Sequence, residues 1–134
     1  MNWCLFLVIE YIYVWVRTDI PLAQQMVQAC HASVLAGRDF QHHNDTHLVL
    51  LSVANEEELK SVAFFLESIK TKFQIFYEPD LFGEDEMGYT AIASEIISED
   101  RRPEFYQYNL WSDPNDGNNP RSSRELFDCS CRRS

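Results

Sequence analysis

Glycine is scarce in this chain: 134 residues hold only 4, and they are widely spaced. There is therefore no glycine-rich loop to cradle a phosphate, and no Gly-x-Ser-x-Gly elbow to present a serine nucleophile. Positive charge is scarce too. Against 21 Asp and Glu stand 11 Lys and Arg, a formal net charge of −10. The excess lies in residues 1–100, with sixteen acids and five bases, whereas residues 101–134 carry six arginines and five acids. Nucleic-acid binding is driven largely by phosphate neutralisation, so an acidic domain is a poor electrostatic match for it. The four cysteines (Cys4, Cys30, Cys129 and Cys131) are too scattered for a disulfide scaffold, and a reducing, cytoplasmic compartment is expected. Cys30 is expected to be a small buried hydrophobe. The apolar run Trp3–Ile9 has no basic residue before it and is cut by Glu10. It fits neither a signal peptide nor a membrane span. Residues 1–9 either extend the first strand or are a non-native start.

What is present is a foldable core. Apolar residues make up 46% of the chain and aromatics 13%, which implies a globular domain. The expected organisation is one α/β domain over residues 1–100 and an extension over 101–134. A β-branched and aromatic run predicts a strand over Ile9–Arg17. A helix is predicted over Pro21–Ala36, with Asp19 as its cap and Gly37 as its left-handed exit. Its core stripe is expected to be Leu22, Met26, Ala29, Cys30 and Ser33. A polar loop over 38–46 leads to a strand at His47–Val53 and a helix capped by Asn55, with Leu59, Val62, Ala63, Leu66 and Ile69 as its stripe. A strand at Phe73–Tyr77 is expected to stop at Pro79. An acidic loop from Glu78 to Gly88 and a strand at Tyr89–Ile97 complete the domain. This order predicts a three-layer α/β sandwich: a mixed four-stranded sheet with helices on both faces. Phe105, Tyr106, Tyr108, Leu110 and Trp111 are too apolar for a linker, so that stretch should dock on the domain. Residues from about 113 onward are expected to be mobile.

Strand, polar turn, helix is the order that places ligands in open α/β sheets, outside the carboxyl ends of the strands. Asp19 and Gln24 belong to the first such turn, and Asp80 and Thr90 flank the acidic loop. If the two turns meet, carboxylates, an amide and a hydroxyl converge, a set suited to orienting water and binding an oxyanion. The structural alternative makes Asp19 a cap, Asp80 a solvated loop acid and Thr90 a strand residue. Glu78, Asp80, Glu84, Asp85 and Glu86 do not match the spacing of a calcium loop. His42, His43 and His47 lack the paired ligands of a metal site, and Cys129-Ser-Cys131 reads as part of an unstructured tail. His31, beside Cys30, reads as a packed, hydrogen-bonded helix residue.

Val16-Arg-Thr-Asp-Ile20, Gln28-Ala-Cys-His-Ala32, Gly37, Leu48-Val-Leu-Leu51, Asn55-Glu-Glu-Glu-Leu59, Glu78-Pro-Asp80 and Gly88-Tyr-Thr-Ala-Ile92 follow one another as in a known family. Over roughly residues 12–97 the chain resembles the type II peptidyl-tRNA hydrolases. The resemblance implies a three-layer α/β fold that is often dimeric. It implies hydrolysis of the ester between a peptide and the tRNA 3′ end, with no metal or organic cofactor and no membrane. By that resemblance Asp80 orients or deprotonates water, Thr90 and Gln24 position the ester, and Asp19, Arg17 and His31 contact substrate. Three features depart from the family. Gln24 stands where the family has a catalytic lysine, the loop before Thr90 is longer and acidic, and the last strand lacks its Gly-Pro ending. A divergent, non-catalytic member that binds a protein or small molecule is the alternative reading.

Overall fold

The computed structural model describes residues 9–40 and 45–114. The elements run β1 (Glu10–Arg17), α1 (Leu22–Asp39), β2 (Thr46–Val53), α2 (Glu56–Ser68), β3 (Phe73–Phe82), β4 (Asp85–Ser94), β5 (Ile97–Ser98) and a 3-10 helix (Glu99–Phe105). The sheet order is β2-β1-β4-β3. β1 pairs in parallel with β2 and antiparallel with β4, and β3 is antiparallel to β4. The two-residue β5 pairs with the start of β1. This is an open, mixed α/β sheet between helical layers.

Every residue of β1 is buried. A strand covered on both faces loses the usual apolar–polar alternation. One face of β1, with Tyr11, Tyr13 and Trp15, packs with Leu59, Val62 and Leu66 of α2 and with Phe105. Phe105 stacks on Tyr13 with ring centroids 4.4 Å apart. The other face, with Ile12, Val14 and Val16, packs against Ala32 and Ala36 of α1. These small side chains let the helix sit close to the sheet.

α1 differs from its expected form. Its buried face is Gln25, Gln28, Ala32 and Ala36; of the expected stripe, Leu22, Met26 and Cys30 are exposed while Ala29 and Ser33 are half-buried. A periodicity rule that scores side-chain hydropathy cannot choose a face built from glutamine and alanine. Asp19 does not cap the helix, since the cap position is Pro21 and no side chain bonds there. Nor does Gly37 end it: the helix runs on to Asp39, and Phe40 closes it in extended conformation. α2 follows its sequence closely. The Asn55 side chain accepts from the Glu58 N–H, and the Glu58 carboxylate accepts from the Ala54 N–H, both at 2.9 Å. This is a reciprocal cap.

The expected acidic loop is a hairpin. β3 runs through Pro79 to Phe82 and turns at Gly83 and Glu84 into β4. Gly83 takes φ +76°, which suits a two-residue hairpin turn. Pro79 is tolerated because β3 is an edge strand and its register shifts between Glu78 and Leu81. The expected strand Tyr89–Ile97 is broken in two: Ser94 Oγ accepts from the Tyr13 N–H, and the chain then rejoins β1 as β5.

Residues 109–111 lie along the outer edge of β2. Ser52 N–H donates to Asn109 O, Trp111 N–H donates to Leu50 O, and the Trp111 indole donates to Gln25 Oε1 at 2.7 Å. The expectations for residues 1–8, the histidines His42 and His43, the pair Cys129 and Cys131, and the tail from 115 onward lie outside the described residues.

Candidate functional site

The first strand–helix turn and the β3–β4 hairpin do meet at one edge of the sheet. β1 and β3 run in the same direction, each antiparallel to β4. The carboxyl ends of both, the start of α1, the start of α2 and the beginning of β4 therefore share that edge. Arg17, Asp19, Gln24, Asp80 and Thr90 all belong to it.

Arg17 ends β1 and is 7% exposed. Its Nε and Nη2 donate to the two carboxylate oxygens of Asp19 at 2.8 and 2.9 Å. Its Nη1 donates to Met87 O at 2.6 Å and to Tyr89 O at 3.1 Å. The hydrogen bonds it donates to Asp19 hold the guanidinium proton more tightly than usual, with burial opposing. Arg17 is thus a clamp between β1 and β4, with its charge matched by Asp19. Opposite it, the start of α2 touches β4, where Tyr89 N–H donates to Glu56 Oε2 at 2.8 Å. Gly88, at φ +83°, leaves room for that carboxylate.

The centre of the site is Gln28, fully buried on the α1 face. Its Nε2 donates to Glu78 Oε1 at 2.8 Å and to Gln24 Oε1 at 3.1 Å. Its Oε1 accepts from the Thr90 hydroxyl at 2.7 Å, and that hydroxyl also lies 3.4 Å from Phe76 O. The orientation follows from chemistry. A carboxylate only accepts, so the Gln28 amide nitrogen must face Glu78. Its carbonyl then faces Thr90, which donates. The second Gln28 hydrogen goes to the Gln24 carbonyl, which leaves the Gln24 amide hydrogens for another acceptor. Among the described residues none accepts them.

Asp80 is exposed, two residues beyond Glu78 on β3. Its backbone N–H makes a long 3.4 Å contact with Glu78 Oε2, and among the described residues nothing holds its carboxylate. Thr90 is fully buried. It therefore acts on the edge only through Gln28, as a positioning group. His31 stands apart, two turns into α1, exposed and stacked on Phe76 with centroids 4.3 Å apart. It is packed on a ring and does not join the network. Cys30 is exposed beside it, against the sequence expectation.

Gln28 and Glu78 were not among the candidates read from the sequence. A buried glutamine on a helix carries no local signature, because its partners are 50 and 62 positions away. Among the described residues no group of three His, Cys, Asp or Glu is arranged to hold a metal ion, and no helix is long and apolar enough to cross a membrane. No protein-family model matches the chain, and no curated protein matches it.

Proposed function

We propose that the domain is an ester hydrolase of the peptidyl-tRNA hydrolase type, with its reacting centre at the Gln24–Asp80 edge. The observation that supports this most is the chain Thr90–Gln28–Gln24, anchored by Glu78, which engages the Gln24 carbonyl and leaves its amide donor available at the same edge as an exposed carboxylate. In this reading Asp80 takes a proton from water as the water oxygen attacks the ester carbonyl carbon. The Gln24 amide donates to the oxyanion as it forms. The carbon–oxygen bond then breaks, and the leaving 3′ oxygen recovers the proton from Asp80. Glutamine supplies a neutral donor where a lysine would add charge, so slow turnover is expected.

One observation favours a second reading, a non-catalytic binding module. Among the described residues at this edge, the basic Arg17 is paired with Asp19, while Glu56, Glu78 and Asp80 are all acidic. Such an edge repels phosphate and favours a neutral or cationic ligand.

Release of free tRNA from peptidyl-tRNA, by wild type and by Asp80→Ala, separates the two readings. Turnover that falls by about a hundredfold or more in the variant supports the hydrolase. Absence of turnover by folded wild-type protein overturns it in favour of the binding module.

A further inference from the structure

Residues 73–100 contain no Lys, Arg or His. Within that stretch the β3–β4 hairpin stands at the end of the sheet, and among the described residues β3 pairs only with β4. An unpaired strand offers its N–H and C=O groups to another chain, and natural edges are commonly blunted by lysines. This edge has none along β3 and carries apolar bulk instead. Leu81 is 70% exposed and Phe82 43%. Next to them Tyr77 and Tyr89, both exposed, meet edge to face with centroids 4.9 Å apart. The Tyr77 hydroxyl donates to the Glu86 carboxylate, and Tyr89 N–H donates to Glu56. Exposed ring faces bordered by carboxylates attract ammonium and guanidinium groups.

We propose that the outer edge of β3 and its hairpin dock an extended segment of a partner protein that alternates aliphatic and Lys/Arg side chains and adds to the sheet as a strand. The exposed apolar side chains supply contact area, and charge complementarity selects the occupant: a cationic strand is attracted, whereas a nucleic acid or an anionic membrane is repelled. Pro79 donates no backbone hydrogen bond and the register shifts beside it, so strand addition is confined to Phe73–Tyr77. Leu81 and Phe82 then grip the next part of the segment. This surface does not depend on ester hydrolysis.

The test is fluorescence anisotropy of a labelled lysine–valine alternating peptide with the full chain, beside a glutamate–valine peptide of equal length. The variants are Leu81→Ser/Phe82→Ser and Glu84→Gln/Glu86→Gln, all at exposed hairpin positions, with Met26→Ser on α1 as the control. Circular dichroism verifies that each is folded. Saturable binding of the lysine peptide is expected, weakened about tenfold or more by the apolar pair of substitutions. It should also weaken with added salt and with the carboxylate substitutions, and be unchanged by Met26→Ser. Absence of binding, equal binding of both peptides, or binding unaffected by either hairpin variant would overturn the proposal.

Discussion

Thr90 and Gln28 form a pair whose value to the fold can be isolated. In Thr90→Val the hydroxyl is lost and the fully buried Gln28 carbonyl is left without its 2.7 Å donor. An unsatisfied buried acceptor costs about 1–3 kcal/mol. In Gln28→Met three hydrogen bonds go. The partners Gln24 and Glu78 are half-exposed and turn to water, and Thr90 retains only the long contact to Phe76 O. A similar loss of roughly 1–3 kcal/mol is expected. The double variant removes both polar groups together, so neither is left stranded. Its destabilisation should fall short of the sum by about 1 kcal/mol or more. Urea unfolding followed by circular dichroism gives the four stabilities, with unchanged m-values needed for a fair comparison. Additivity to within about 0.5 kcal/mol would refute the idea that Thr90 positions Gln28.

Three further outcomes follow from the same structure. Gly88→Ala would put a methyl group inside contact distance of Glu56 Oε2 at φ +83°, and should cost about 1–3 kcal/mol in unfolding experiments. Gly37→Ala should do the reverse: the helix continues past this position, a Cβ there meets nothing, and a gain of about 0.5–1 kcal/mol is expected in thermal or urea melts. Tyr77 should ionise above its ordinary value of 10.0, chiefly because its hydroxyl donates to Glu86. With the folded pKa raised, this contribution to stability is full below pH 10 and is lost as pH rises through the raised value. The near-ultraviolet alkaline titration, taken as the difference between wild type and Tyr77→Phe, should show that late midpoint, and Glu86→Gln should bring it back toward 10.

Sequence legibility varied with how local the cause was. The α2 cap is set by Asn55 and Glu58, three residues apart, and was readable from those residues. The strand β1 was legible from its β-branched and aromatic run, whereas the apolar run Leu48–Leu51 of β2, expected to be covered on both faces, leaves Leu48 exposed. The hairpin was not. Pro79 and a run of acids read as a loop, yet an edge strand tolerates both, and edge position is a property of the whole sheet. The inward face of α1 was misjudged for a similar reason. Its stripe of Gln25, Gln28, Ala32 and Ala36 is selected by what lies above it, namely Trp111, Glu78 and Thr90, and by a close approach to the sheet. At the candidate site the sequence named Asp19, Gln24, Asp80 and Thr90 but read Asp80 as part of a loop, and it did not single out Gln28, which joins Gln24 to Thr90. Asp19 illustrates competition between partners: it can cap a helix, but a bidentate bond from a nearly buried arginine is the stronger interaction.

In the proposed hydrolysis Gln24 is the amide donor to the oxyanion. The most direct test of this role is single-turnover release of tRNA from peptidyl-tRNA by wild type and by Gln24→Glu. Glutamate keeps the shape and an oxygen that accepts from Gln28, and replaces the amide donor by a charged, acceptor-only carboxylate. Wild type should release tRNA, and Gln24→Glu should be slower by about a hundredfold or more, with the fold intact. Equal rates in the two proteins would contradict it.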